Sequence, residues 1–233
     1  MISMSIPETP SAALAPHACS LLRCFLQRGA IRFGDFTLKS GRKSPYFINT
    51  GCLHQGGDLA TFGAAYAEGI IALSPSDPVD VVFGPAYKGI PLALAAAQAL
   101  ESRLGQPVGW AYDRKEAKDH GDGGSFVGAP LAPGTRVVVV DDVLTAGTAL
   151  RETLAKLQPL GVTIVGAVVA VDRQEAGAHS ASARQEIAAD FGLPIQALMT
   201  IRQVVDQLAA GAITDIPPLN PELLHRIRSH LRN

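Results

Sequence analysis

RVVVVDDVLTAGTAL, residues Arg136 to Leu150, sets four valines ahead of two adjacent carboxylates and a short loop of Thr, Ala and Gly. An unbroken β-branched run of this kind is the pattern of a strand buried on both faces, which belongs to a parallel sheet covered by helices. The spacing places Val137 to Val140 in the strand and Asp141 and Asp142 at its carboxyl end. A loop from Val143 to Gly147 then leads into a helix that begins near Thr148. Two like charges side by side repel, so this strand end calls for a cationic or hydroxyl-rich partner.

Outward from this strand, apolar runs alternate with helical spacing. DLATFGAAYAEGIIAL from Asp58 reads as a helix, VDVVFGP as a strand, IPLALAAAQALESRLG as a helix with Pro91 in its first turn, and PVGWAYD as a strand. After the central segment, VTIVGAVVAV is a strand, ASARQEIAADFG a helix, and PIQALMTI a last strand before RQVVDQLAAG. This is an α/β chain with a mostly parallel sheet flanked by helices. On the amino-terminal side, CSLLRCFLQRGA is helical and DFTLKSGRKSPYFIN reads as two short strands around Ser40-Gly41, a hairpin that caps something larger. The expected organisation is an arm over residues 1–17 and one domain over 18–233, with a small hood at about 18–57 and a core at about 58–210. The tail PPLNPELLHRIRSHLRN reads as a short peripheral helix.

Composition narrows the class. With 47% hydrophobic and 18% charged residues in 233, the chain is expected to be globular. Lys and Arg number 20 against 21 acidic residues, a net charge of -1, which gives no global attraction to nucleic acid. Cys19, Cys24 and Cys52 form no CxxC pair, pointing to a reducing cytoplasm. The six histidines show no HxxxH or HExxH spacing for zinc. No run of about 18 apolar residues marks a membrane span.

In parallel sheets ligands bind beyond the carboxyl ends of the strands, so the polar residues there carry the chemistry. A turn entering a helix presents free N–H groups that favour a phosphate. Gly147 and Ala146 let the backbone approach, and Thr145 and Thr148 add hydroxyl donors. An anion cradle beside two carboxylates suits ribose 5-phosphate, with the acids accepting from its 2- and 3-hydroxyls. A Walker loop would need GK[ST] and a dinucleotide fold GxGxxG; neither is present. Lys88, in FGPAYKGIP, stands before another helix start, where an ammonium suits a pyrophosphate unless it simply faces water. DRKEAKDHGDGGSFVG gathers Arg114, Lys115, Lys118 and His120 ahead of Gly121, Gly123 and Gly124. It reads as a polar glycine-rich interval, either a lid that excludes water or a plain surface loop.

The central stretch resembles the signature of phosphoribosyltransferases that use phosphoribosyl pyrophosphate (PRPP). FGDFTLKSGRKSPYFIN, FGPAYKGIP, DRKEAKDHG in place of NRKEAKDHG, VDDVLTAGTA and VDRQE together, in this order, are similar to orotate phosphoribosyltransferases of the bacterial type. The resemblance runs from about Cys19 to Gln207. It implies a type I phosphoribosyltransferase fold and transfer of the 5-phosphoribosyl group from PRPP to orotate in pyrimidine (UMP) biosynthesis. It further implies Mg2+, held mainly by PRPP and water, and a cytoplasmic homodimer that shares its active sites.

By position, the resemblance implies PRPP contacts from Lys39, Tyr87, Lys88, Arg114, Lys115, Lys118, His120 and the run Asp141, Asp142, Val143, Leu144, Thr145, Ala146, Gly147, Thr148 and Ala149. Lys118, His120, Asp141 and Asp142 would be catalytic. Tyr46, Phe47, Thr145 and Arg173 would hold orotate, a flat anion that a forked guanidinium can grip. Local sequence leaves open whether Arg173 instead pairs with Asp172 or Glu175. A purine or uracil transferase, a PRPP-sensing regulator without catalysis, and a signalling receiver domain are the competing readings. The acidic pair follows a late strand, which disfavours the receiver. Near-neutral charge and no helix-turn-helix segment disfavour the regulator.

Overall fold

Helix α1 (Pro16–Gln27) begins with proline at its first position, where a missing N–H costs nothing, and buries Leu21, Leu22 and Phe25. Strands β1 (Ile31–Thr37) and β2 (Lys43–Ile48) pair antiparallel, from Ile31 opposite Ile48 to Thr37 opposite Lys43. A 3-10 turn at Thr50–Cys52 leads into α2 (Gly56–Leu73). Then follow β3 (Val81–Phe83), α3 (Gly89–Leu104), β4 (Gly109–Lys118), β5 (Gly124–Gly128) and β6 (Arg136–Leu144). The chain continues with α4 (Thr148–Leu157), β7 (Thr163–Asp172), α5 (Ala183–Phe191), β8 (Ile195–Thr200), α6 (Ile201–Ala209) and α7 (Pro221–His230). The computed structural model describes residues 13–37, 41, 43–75, 78–118, 124–175, 182–213 and 215–231. Lys39, His120, Gly121, Gly123 and most of the amino-terminal arm lie outside these residues, and for Lys118 the strand is described but not the side chain.

The main sheet runs β5-β4-β3-β6-β7-β8, parallel throughout except for β5, which is antiparallel to β4. The valine run sits at its centre and divides the interior by alternation. Val138 and Val140 join a core with α1, α2, α3, α6 and the hairpin, while Val137 and Val139 join a second core with α4 and α5. All four are fully buried.

Three segments depart from expectation. Strand β6 runs past Val140 through the acidic pair, because Asp141, Val143 and Leu144 continue the ladder with Val169, Val171 and Asp172 of β7. The interval read as a polar glycine-rich loop is partly sheet: β4 continues to Lys118 and pairs with β5, Asp113 opposite Phe126 and Lys118 opposite Gly124. Its exposed residues lack the apolar signature of the buried strands, which is why composition hid it. The tail helix is not peripheral. Ile227 of α7 is fully buried, Arg226 pairs with Asp35 of β1, and the His230 ring meets Tyr46 of β2 edge-on at 5.8 Å.

Candidate active site

The β3–α3 connection is tight because Gly84 and Gly89 touch backbone to backbone; a Cβ on Gly84 would fall 2.0 Å from the Gly89 carbonyl oxygen. This contact brings the start of α3 against the end of β3 and presents Lys88, the residue preceding α3, to the end of β6. There Asp142, 7% exposed, accepts from Lys88 Nζ at 3.1 Å and from the Thr50 hydroxyl on the same oxygen. Its other oxygen accepts from the Val143 amide at 2.8 Å. Asp141 Oδ1 accepts from the Asp142 amide at 2.9 Å, and the buried Tyr66 hydroxyl of α2 donates to the Asp141 carbonyl at 2.6 Å. Burial and the neighbouring Asp142 charge raise the Asp141 pKa to about 7, against the lowering pull of its amide bond and Lys88.

Past β6, Gly147 takes φ +81° as the residue entering α4, and a Cβ there would lie 2.2 Å from Ile187 Cδ1. The first turn closes through Arg151 N to Gly147 O at 2.9 Å. Amides ahead of that bond are the ones a helix leaves for an outside acceptor. Thr145, Ala146, Thr148 and Ala149 are exposed there, whereas Leu144 is buried in the second core.

A cleft of about 250 Å³ joins these parts, lined among others by Tyr87, Lys88, Lys115, Asp141, Asp142 and Ala149. Tyr87 is 72% exposed. Arg173 lies just beyond β7, its amide donating to the Leu144 carbonyl at 3.1 Å, which sets it beside the phosphate-type loop. Its guanidinium is buried 4.8 Å over the Tyr46 ring, with Nε 2.7 Å from Glu175. Nη2 has no hydrogen-bond partner among the described residues. Of the two acids near Arg173, Asp172 instead lies 3.1 Å from Arg184. Tyr46 and Phe47 point opposite ways from β2: Phe47 stacks on Phe36 at 5.6 Å with Arg32 above it. Arg114 buries its Nε without a hydrogen-bond partner among the described residues. Among those residues no group of three His, Cys, Asp or Glu converges as a metal cage, and no helix is long and apolar enough to cross a membrane.

The segments that build this cleft lie within a stretch that is similar to known proteins. Residues 59–193 match the phosphoribosyl transferase domain. Orotate phosphoribosyltransferase of Pseudomonas paraeruginosa is 48% identical over 191 residues, spanning 82% of this chain and 88% of that protein. The chain belongs to the orotate phosphoribosyltransferases. That of Bifidobacterium longum is 49% identical over 200 residues, 83% of this chain and 87% of its own. The crystal structure of orotate phosphoribosyltransferase from Francisella tularensis superposes with a TM-score of 0.73 at 35% identity, covering 91% of this chain and 96% of that one.

Residues that local sequence did not single out also meet around the cleft. Thr50 reaches Asp142 from 92 positions away, and Tyr66 reaches Asp141 from 75. Asp113 accepts from the Ala86 amide at 2.8 Å and from Lys156 of α4 at 2.5 Å. Asp113 stands inside the DRKEAKDHG motif, where its departure from NRKEAKDHG was the available signal.

Proposed function

We propose that the cleft between Lys88 and Asp142 is the seat of transfer. There the chain moves the 5-phosphoribosyl group from PRPP to N1 of orotate, giving orotidine 5-monophosphate and diphosphate in pyrimidine biosynthesis. The observation that carries this reading is the 3.1 Å Lys88–Asp142 pair beside the Gly147-opened entrance of α4. One cleft thus offers a cation for the diphosphate, acids for the ribose diol and amides for the 5-phosphate.

In this reading Val143 to Ala149 hold the 5-phosphate while Asp141 and Asp142 accept from the ribose hydroxyls. As the bond to diphosphate breaks, positive charge grows on the ribose ring next to the two acids. Negative charge grows on the departing group beside Lys88 and the β4–β5 cations Arg114, Lys115, Lys118 and His120. Lys39 and Tyr87 complete the PRPP contacts. Arg173, with its unpartnered Nη2, grips the orotate carboxylate near Tyr46, Phe47 and Thr145. The cleft's carboxylates fit Mg2+ carried in by the diphosphate: Asp141 and Asp142 line it and would hold the ion together with substrate oxygens and water. When bound, the ion neutralises charge on the diphosphate. We further assign a cytoplasmic homodimer in which the lid cations reach the neighbouring subunit's cleft; the three free cysteines fit a reducing compartment.

The test is loss of orotate absorbance when PRPP and Mg2+ are added to the pure protein, beside uracil and hypoxanthine. Orotate alone should respond. A response to hypoxanthine or uracil points to the purine or uracil transferase, and PRPP binding without turnover of any base points to the regulator.

A further inference from the structure

The β3–α3 loop, the base of the β4–β5 extension and α4 are far apart in sequence and meet at one carboxylate that the chemistry above does not use. Asp113 is only 3% exposed although it lines the cleft. One oxygen accepts the Ala86 amide and the other the Lys156 ammonium. Burial pushes its carboxyl up, but the Lys156 and Ala86 hydrogen bonds and the charges of Lys156 and Lys115 outweigh that and hold it below the usual carboxylate range. It is therefore charged at neutral pH.

Ala86 immediately precedes Tyr87 and Lys88. The loop's other backbone bonds run from Gly84 N to Ala111 O at 3.0 Å, from Gly89 N to Pro85 O at 2.9 Å and from Ile90 N to Tyr87 O at 3.3 Å. The last two join the loop to the start of α3, and the Ala86 amide ties its middle across to Asp113 on β4. Lys156 sits two turns into the helix whose entrance Gly147 opens, and it lines the same cleft. Half-exposed, Lys156 is free to sample solvent unless it is held, and Asp113 holds it to the wall.

We propose that Asp113 is a positioning residue for the diphosphate side of the cleft, fixing the Ala86–Lys88 loop against α4 and keeping the Lys156 ammonium out of the diphosphate's place. This rests on the reading that Lys88 faces diphosphate. The backbone anchor is the working half, because an amide N–H has one direction whereas the lysine can follow a displaced acceptor.

Two substitutions separate position from charge. Asp113→Asn keeps an acceptor for Ala86 at the same place and drops the charge; Asp113→Glu keeps the charge and moves it by one methylene. Steady-state kinetics with each substrate varied are paired with calorimetry of Mg-diphosphate binding to the intact protein. Asp113→Glu should raise KM for PRPP and Kd for diphosphate about tenfold, with KM for orotate within about twofold. Asp113→Asn should stay within about threefold of the parent on all three. The proposal is overturned if Asp113→Glu leaves diphosphate binding unchanged, if both substrates weaken alike, or if Asp113→Asn is the more damaged. Diphosphate failing to bind the parent protein would instead remove the reading of the cleft. Should the glutamate variant fold poorly, Asp113→Ser, too short to reach the Ala86 amide, takes its place and should show the same loss on the PRPP and diphosphate side; diphosphate binding unchanged in it overturns the proposal.

Discussion

At the scale of single residues the site stores electrostatic stress. Partial burial and the adjacent Asp142 charge push the Asp141 carboxyl up to about 7. An unfolded aspartate titrates near 3.9. Between these values the folded chain holds a proton that the unfolded chain has lost, so this group's contribution to stability declines as pH rises from about 4 to about 7 and is constant above. Ribose hydroxyls donating to Asp141 favour its ionised form, so PRPP binding should expel a proton at pH 6 to 7. Calorimetry in buffers of different ionisation enthalpy should show that release. Asp141→Asn should lack it while keeping whatever the phosphates of PRPP contribute, and equal release in both proteins would refute the assignment. Thr50 is the companion case. Its hydroxyl shares the Asp142 oxygen with Lys88, so Thr50→Val, similar in shape, leaves a buried carboxylate short of one donor. A hydrogen bond to a charged group is worth about 1.5–3 kcal/mol. Denaturant unfolding should show a loss of that size, with turnover reduced.

At the scale of elements, what could be read in advance depended on burial. The valine strand, the helix after it and β7 were legible because an interior strand is apolar throughout and its helix is not. The acids at 141 and 142, Lys88 and the Thr145–Ala149 loop followed from their positions at strand ends. Strand β5 and the outer half of β4 escaped, since a partly solvated two-stranded ribbon carries polar residues that look like loop. Thr50, Tyr66 and Asp113 escaped for another reason: each acts on a partner distant in sequence, and no local pattern encodes that. Arg173 was seen, but only folding decides between its two neighbouring acids, giving it Glu175 and the Tyr46 face. The turn into α4 is where local and tertiary demands coincide. Gly147→Ala must hold a side chain at φ +81° and displace Ile187 of α5. Together these should cost about 1–3 kcal/mol, and PRPP affinity should fall more than orotate affinity as the amides lose their alignment. A variant as stable as the parent would show that the turn can relax without penalty.

At the scale of the whole molecule, a net charge of -1 leaves anion capture to local arrangement, and the run from Arg114 to His120 is one such local supply of cations. If their contact tightens as diphosphate departs, Lys118→Ala should lower kcat more than it raises KM for PRPP; a raised KM with unchanged kcat would contradict this. Whether that lysine serves its own subunit or its neighbour can be decided by complementation. Lys118→Ala spoils only the lid, and Asp141→Asn with Asp142→Asn spoils only the cleft. In a shared-site dimer, a hybrid of the two places the intact lid of one subunit over the intact cleft of the other. Random mixing in equal amounts makes about half of the dimers hybrid, each with one working site of two, so about one quarter of parental activity should return. If each lid closes on its own cleft, every site in the hybrid carries one lesion. Mixed dimers, verified by differential tagging, would then remain as inactive as either variant alone.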